Sequence, residues 1–133
     1  MIQKKRLVQE VLSAQSASDG GGVRLKRVFR GRDPDRFDPF LMLDESGSSD
    51  AAHFIGGFPS HPHRGFETVT YMLEGYMEHR DHMNNLGRIS LGDVQWMSTG
   101  SGAIHSEMPQ QEEGRMGGFQ LWVNLPAALT TFR

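Results

Sequence analysis

Four side chains of this 133-residue sequence have the types and spacing to share one metal ion: His61, His63, His105 and Glu107. His61 and His63 stand at i and i+2, and on an extended chain that spacing turns both to one face. Imidazole is the commonest neutral metal ligand, so a pair from one strand supplies half of a coordination shell. Forty-two residues beyond His63, His105 and Glu107 repeat the spacing. Two strands presenting these pairs to a common side would offer three imidazoles and a carboxylate to one mononuclear metal. A lone His-x-His pair is more often accidental than metal-binding; the second pair adds the weight.

Strands must position them, and the chain reads as strands throughout. Residues 6–12 (RLVQEVL) predict a first strand, 13–22 (SAQSASDGGG) a loop in which three glycines leave no side-chain reason for order, and 23–29 (VRLKRVF) a second strand. Two prolines make 31–39 a turn region, and the continuous apolar run at 40–45 predicts a strand buried on both faces. A Ser- and Gly-rich loop then delivers the chain to His61. From Phe66, Val69, Tyr71 and Leu73 share parity with the two histidines, Thr68, Thr70 and Met72 lie opposite, and Gly75 ends the strand. NNLG at 84–87 predicts a hairpin turn, residues 88–98 two short strands around Gly92–Asp93, and 117–126 a closing strand with Phe119, Leu121, Val123 and Leu125 on one side. Seven to nine short strands without a 3.6-residue period point to an all-β barrel or jelly roll.

Composition narrows the chemistry. The sequence has no cysteine, which excludes disulfides, Cys-ligated zinc, iron–sulfur clusters and thiol nucleophiles. It also excludes a zinc-deaminase reading of His105-Ser-Glu107, since that chemistry takes cysteine ligands further on. No apolar run is long enough for a signal peptide or a membrane span, so a cytoplasmic protein is expected. Residues 1–36 carry nine Lys/Arg against four Asp/Glu. Their charges alternate with Val23, Leu25, Val28 and Phe29 as on a solvated strand face, so nucleic-acid binding is not expected.

The metal-ligand segments also follow the two-part signature of cupins. His61-Pro-His63-Arg-Gly-Phe-Glu67 and Gly75 match the first motif with one extra residue before the glycine. Gly92, Gly100 and His105 follow the second more loosely, with Ser98 where proline is expected and four residues between Gly100 and His105. Longer stretches are more specific: DPFLMLDE, GGFPSHPHRGFETVTYMLEG, EHRD, GDVQWMSTGSGAIHSEMP and FQLWVNLPA, from Asp38 to Ala127, together resemble the pirin family.

That resemblance implies an all-β cupin barrel, a double-stranded β-helix or jelly roll. Pirins are bicupins with one metal, usually iron, in the N-terminal barrel. Residues 1–133 are therefore expected to form a single pirin-type N-terminal cupin domain, the second cupin being absent. The ligands implied are His61, His63, His105 and Glu107, with Fe(2+) as cofactor and Mn, Ni, Cu or Zn as alternatives. Cupins in general often use the glutamate of the first motif, here Glu67. The pirin pattern gives the place to Glu107 and leaves Glu67 a hydrogen bond to a ligating histidine. The activity implied is that of a quercetin 2,3-dioxygenase, with a flavonol and O2 as partners: Glu107 accepts the flavonol hydroxyl proton as catalytic base, and O2 adds across the heterocycle with loss of carbon monoxide. The alternatives are an iron-dependent transcriptional co-regulator or redox sensor, whose partner is a transcription-related protein, and an inactive metal-binding barrel.

Other side chains read more plainly. His79 and His82 sit near a hairpin tip and His53 in a loop, all three expected in solvent. Phe58, Trp96, Met97 and Met108 are expected in the core or walling a pocket. A barrel without its second cupin would expose an apolar surface, and a homodimer is expected to cover it through 6–12, 23–29 and 119–125.

Overall fold

Glycine, proline and asparagine turns cut the chain into short strands that pair only antiparallel. The structure, a computed structural model, describes residues 5–31 and 34–130. Its strands are β1 (Gln15–Asp19), β2 (Val23–Arg30), β3 (Phe40–Ser48), β4 (Phe58–His63), β5 (Phe66–Glu74), β6 (Tyr76–Asp81), β7 (Leu86–Ser90), β8 (Val94–Ser98), β9 (Ala103–Pro109) and β10 (Met116–Asn124). One four-residue helix, α1 (Pro34–Phe37), and two 3-10 turns complete the described elements. None of the described helices is long and apolar enough to cross a membrane.

The strands form two sheets, ordered β1-β2-β3-β10-β5-β8 and β4-β9-β6-β7. Phe54, Met72, Met77, Ile89 and Met116 pack together as a buried apolar cluster. The rest of the interior is unusually polar. Asp44, His63, Thr68, Thr70, His79, Thr99, His105 and Glu107 are all buried, so each needs a partner or a function. Asp44 finds its partner in Arg27, whose Nε and Nη2 donate to the two carboxylate oxygens at 2.9 and 2.6 Å.

Several expectations change. Residues 6–12 form no strand, and Leu7, Val8 and Val11 lie exposed with no sheet to cover them. The first strand starts at Gln15, inside the expected loop, and pairs from Gln15↔Arg27 to Asp19↔Val23. An edge strand needs only backbone partners, so its polar sequence hid it. The glycine run is ordered by backbone contact instead of side chains: Gly21 N–H donates to Gly57 O at 2.8 Å, just ahead of β4. Strand β3 buries Met42 and Asp44 on one face instead of both faces. In β5 the parity is reversed, with Thr68, Thr70 and Met72 inside while Tyr71 and Leu73 face out. Gly65, at φ +78°, separates β4 from β5 and resets which face looks inward.

Candidate metal centre

Strands β4 and β9 are neighbours, and the register sets His61 directly opposite His105. Period-2 alternation then carries His63 and Glu107 to the same face as that pair. The Nε2 atoms of His61 and His63 are 3.0 Å apart, as are those of His61 and His105. Ligand-type nitrogens of all three lie within 4.8 Å of one another. With metal–nitrogen bonds of about 2.1 Å, adjacent corners of an octahedron stand about 3.0 Å apart, so the donor spacing suits a six-coordinate ion. Neutral imidazoles with a carboxylate suit iron, nickel, copper, manganese or zinc, and offer nothing to a thiophilic metal.

Burial disfavours charge on two of the three rings. His105 is 2% exposed and His63 8%. Burial, with His61 beside each, pushes the His63 pKa down to about 4 and that of His105 to about 3. His61 Nδ1 lies 2.7 Å from Pro59 O, an atom that can only accept, so Nδ1 carries a proton and Nε2 is the nitrogen turned toward the other two rings. Burial pushes the Glu107 carboxyl up, while Thr70, His61 and Gln120 pull it down. Thr70 Oγ1 donates to Glu107 Oε1 at 3.1 Å and Gln120 Nε2 to Oε2 at 3.2 Å. These two donors come from β5 and β10, so the six-stranded sheet holds a carboxylate that belongs to the four-stranded one. The histidine trio closes without Glu107. Its carboxylate instead groups with His105 and His79, within 4.8 Å of each other.

An open cleft of about 530 Å³ borders His61 and His63 and is walled by Phe58, Phe66, Trp122 and Arg30. Trp122 meets His63 edge-on at 5.4 Å and tilts against Phe66 at 4.7 Å. Its Nε1–H is buried and has no hydrogen-bond partner among the described residues. A larger groove of about 650 Å³ runs along β2 and α1 past Arg27, Arg30 and Arg36, and among the described residues no histidine or carboxylate lines it.

Four expectations about single residues need correction. Glu67 does not support a ligating histidine; it faces out and accepts from Trp96 Nε1 at 2.7 Å and Ser98 Oγ at 2.6 Å. Trp96, 62% exposed on that outer face, is neither core nor pocket wall. His79 is buried at 6% exposure, with its Nδ1 3.3 Å from His105 Nδ1. The signal for His79 was its parity with Met77, an apolar residue two positions back that also points inward. His82 is exposed as expected, although a ring nitrogen accepts from Ile104 N–H. His53 bonds Ser48 Oγ at 2.9 Å instead of standing free.

The pirin family model matches residues 22–123, which includes every residue of this centre. The chain belongs to the pirin family. A pirin-like protein of Caulobacter vibrioides is 56% identical over 124 residues, covering 93% of this chain and 45% of the relative. A Pseudomonas aeruginosa protein whose name proposes a quercetin 2,3-dioxygenase is 62% identical over 126 residues, covering 95% of this chain and 44% of the relative. The chain thus spans a little under half the length of these curated relatives. Among solved structures, quercetin 2,3-dioxygenase from Acinetobacter baumannii superposes with a TM-score of 0.79 at 35% identity, over 91% of this chain and 44% of that one. The bacterial pirin YhhW from Escherichia coli, solved in complex with nickel(II), superposes with a TM-score of 0.68 at 29% identity, over 83% of this chain and 48% of that one. The two sheets of this pirin are those of a cupin.

Proposed function

We propose that His61, His63 and His105 bind one divalent metal through Nε2, with Glu107 completing the set, and that iron is the working ion. The observation that carries the reading is the convergence of three imidazole nitrogens, two of the pairs at 3.0 Å, beside a buried carboxylate. The reaction we assign is the oxygen-dependent ring opening of a flavonol, with both oxygen atoms entering the product and one carbon leaving as carbon monoxide. When bound, the metal supplies a Lewis acid and a redox partner for O2. The chain supplies the rest. Phe66, Trp122 and Phe58 offer apolar walls for a planar ring system, and the cleft volume falls in the range of about 300–1,000 Å³ usual for small-molecule sites. Glu107 takes the flavonol hydroxyl proton, a role favoured by burial that raises its proton affinity.

Metal analysis and oxygen uptake test this together. The wild type is expected to carry one metal per chain, and His63→Ala to lose it; stoichiometric metal in that variant would sink the ligand set. With iron loaded and quercetin supplied, oxygen consumption is expected. Glu107→Gln should lose far more turnover than metal, since an amide coordinates but takes no proton. Absence of oxygen uptake from a fully loaded wild type would leave the metal centre standing and turn the reading to the iron-dependent regulator.

A further inference from the structure

His79 is the one buried histidine that the ligand set does not use. It lies on β6, which flanks β9 on the side away from β4. The register pairs His79 with Glu107, and His105 is its diagonal neighbour on the same face. The two Nδ1 atoms are 3.3 Å apart. One of them must therefore carry a proton and the other accept it.

Which one is fixed by the metal. His105 Nε2 points at His61 Nε2, 3.0 Å away, on the side where the three nitrogens converge. A ligating nitrogen must be bare, so a neutral His105 keeps its proton on Nδ1 and gives it to His79. The reverse arrangement puts a proton on His105 Nε2, aims it into the cluster and blocks the ion. We infer that His79 is a positioning residue of the metal centre, its Nδ1 accepting the Nδ1–H of His105 and so holding His105 in the tautomer and ring orientation that ligate. His61 has the same support from the Pro59 carbonyl. His105 has it from a side chain, which can be changed. The inference rests on the metal-centre reading proposed above.

His79 could instead be a ligand, since its ring, His105 and the Glu107 carboxylate also group within 4.8 Å. That would require His105 to turn Nδ1 toward the ion and abandon the nitrogens of His61 and His63. Outer partners of ligating histidines typically change metal affinity by about 10–100-fold when removed, so titration separates the cases. The test compares wild type, His79→Asn and His79→Gln, each checked for folding by circular dichroism and titrated with Co²⁺. Asparagine puts its amide oxygen near the place of Nδ1, whereas glutamine reaches one methylene too far. His79→Asn is expected to match wild type, and His79→Gln to bind cobalt about 10–100-fold more weakly. Equal affinities for the two folded variants overturn the inference.

A second measurement needs no variant. In zinc-loaded wild type with ¹⁵N-labelled histidine, a nitrogen–nitrogen coupling across the hydrogen bond should join His105 Nδ1–H to an unprotonated His79 Nδ1. A protonated His79 Nδ1, or zinc bound to His79, overturns the positioning role while leaving the metal centre intact. A wild type that binds neither cobalt nor zinc overturns the metal-centre reading itself.

Discussion

Glu107 is 1% exposed, so its two oxygens depend on the protein for every hydrogen bond they make. Thr70 and Gln120 each serve one oxygen, and they do so from the opposite sheet. Thr70→Val keeps the side-chain shape but removes the donor, leaving Oε1 short of a protein partner in a buried site. The expected cost is about 1–3 kcal/mol of stability in the metal-free protein. Thermal unfolding checks this, and an unchanged melting temperature would show that the bond is idle. Metal affinity should fall as well, because the carboxylate loses one of its two anchors. That His61 and His63, and likewise His105 and Glu107, share a face was legible in the sequence, since i, i+2 spacing needs only local strand geometry. Thr70, Gln120 and His79 were not. Their importance depends on which face of β5, β10 and β6 looks inward, and pairing between strands distant in sequence decides that.

The element that sets the height of β4 is the turn between β1 and β2. Gly21 lies so close to the chain ahead of β4 that a Cβ built on it would stand 2.4 Å from Gly56 O, a backbone atom that cannot swing aside. Gly21→Ala should therefore push the two segments apart, at a cost of about 1–3 kcal/mol for the overpacking, and disturb His61 and His63 downstream. Gly87→Ala is the matching control, since a Cβ there meets nothing within 4 Å. Melting temperature and cobalt affinity should drop together in the first variant and hold in the second; a Gly21→Ala protein that keeps both would mean the turn does not position β4. By sequence alone this glycine run belongs to a loop with no side-chain reason for order. Closeness between two backbones leaves no apolar residue to mark it, only the lack of side chains at 20–22 and 56–57. The β5 parity is hidden from the sequence for a related reason: Arg64 and Gly65 turn the chain between β4 and β5, and counting by twos across that turn carries the wrong face forward. What stayed legible was the succession of short strands around the site, because turn residues punctuate them, although ten form among the described residues where seven to nine are expected.

At the scale of the whole molecule, the centre links the two sheets: β4 and β9 bring the histidines and Glu107, while β5 and β10 hold that carboxylate. The interior they enclose is stable only with uncharged imidazoles, and that makes stability depend on pH. The folded pKa values of His63 and His105, about 4 and about 3, lie below the ordinary 6.5, and burial lowers His79 too. Above pH 6.5 these rings are neutral whether the chain is folded or not. As pH falls below 6.5, the unfolded chain takes up protons that the folded one refuses, so folding weakens, by at most about 1.4 kcal/mol per pH unit for each ring. For His63 the loss continues to about pH 4, and for His105 to about pH 3. Glu107 works the other way: its raised pKa means that ionising it in the fold costs stability, a cost that acid relieves. Three rings against one carboxyl leave a net loss, so the metal-free protein should melt at progressively lower temperature between pH 7 and pH 5. A bound divalent ion wants the same neutral rings and an ionised Glu107, and binding only the folded state adds stability by mass action. The gap in melting temperature between zinc-loaded and chelator-treated protein should thus be widest near pH 7.5 and close toward pH 5. A gap independent of pH would mean that the ion binds elsewhere than at the histidines. A metal-free melting temperature that stays flat from pH 7 to pH 5 would mean that the three rings are not held neutral by the fold.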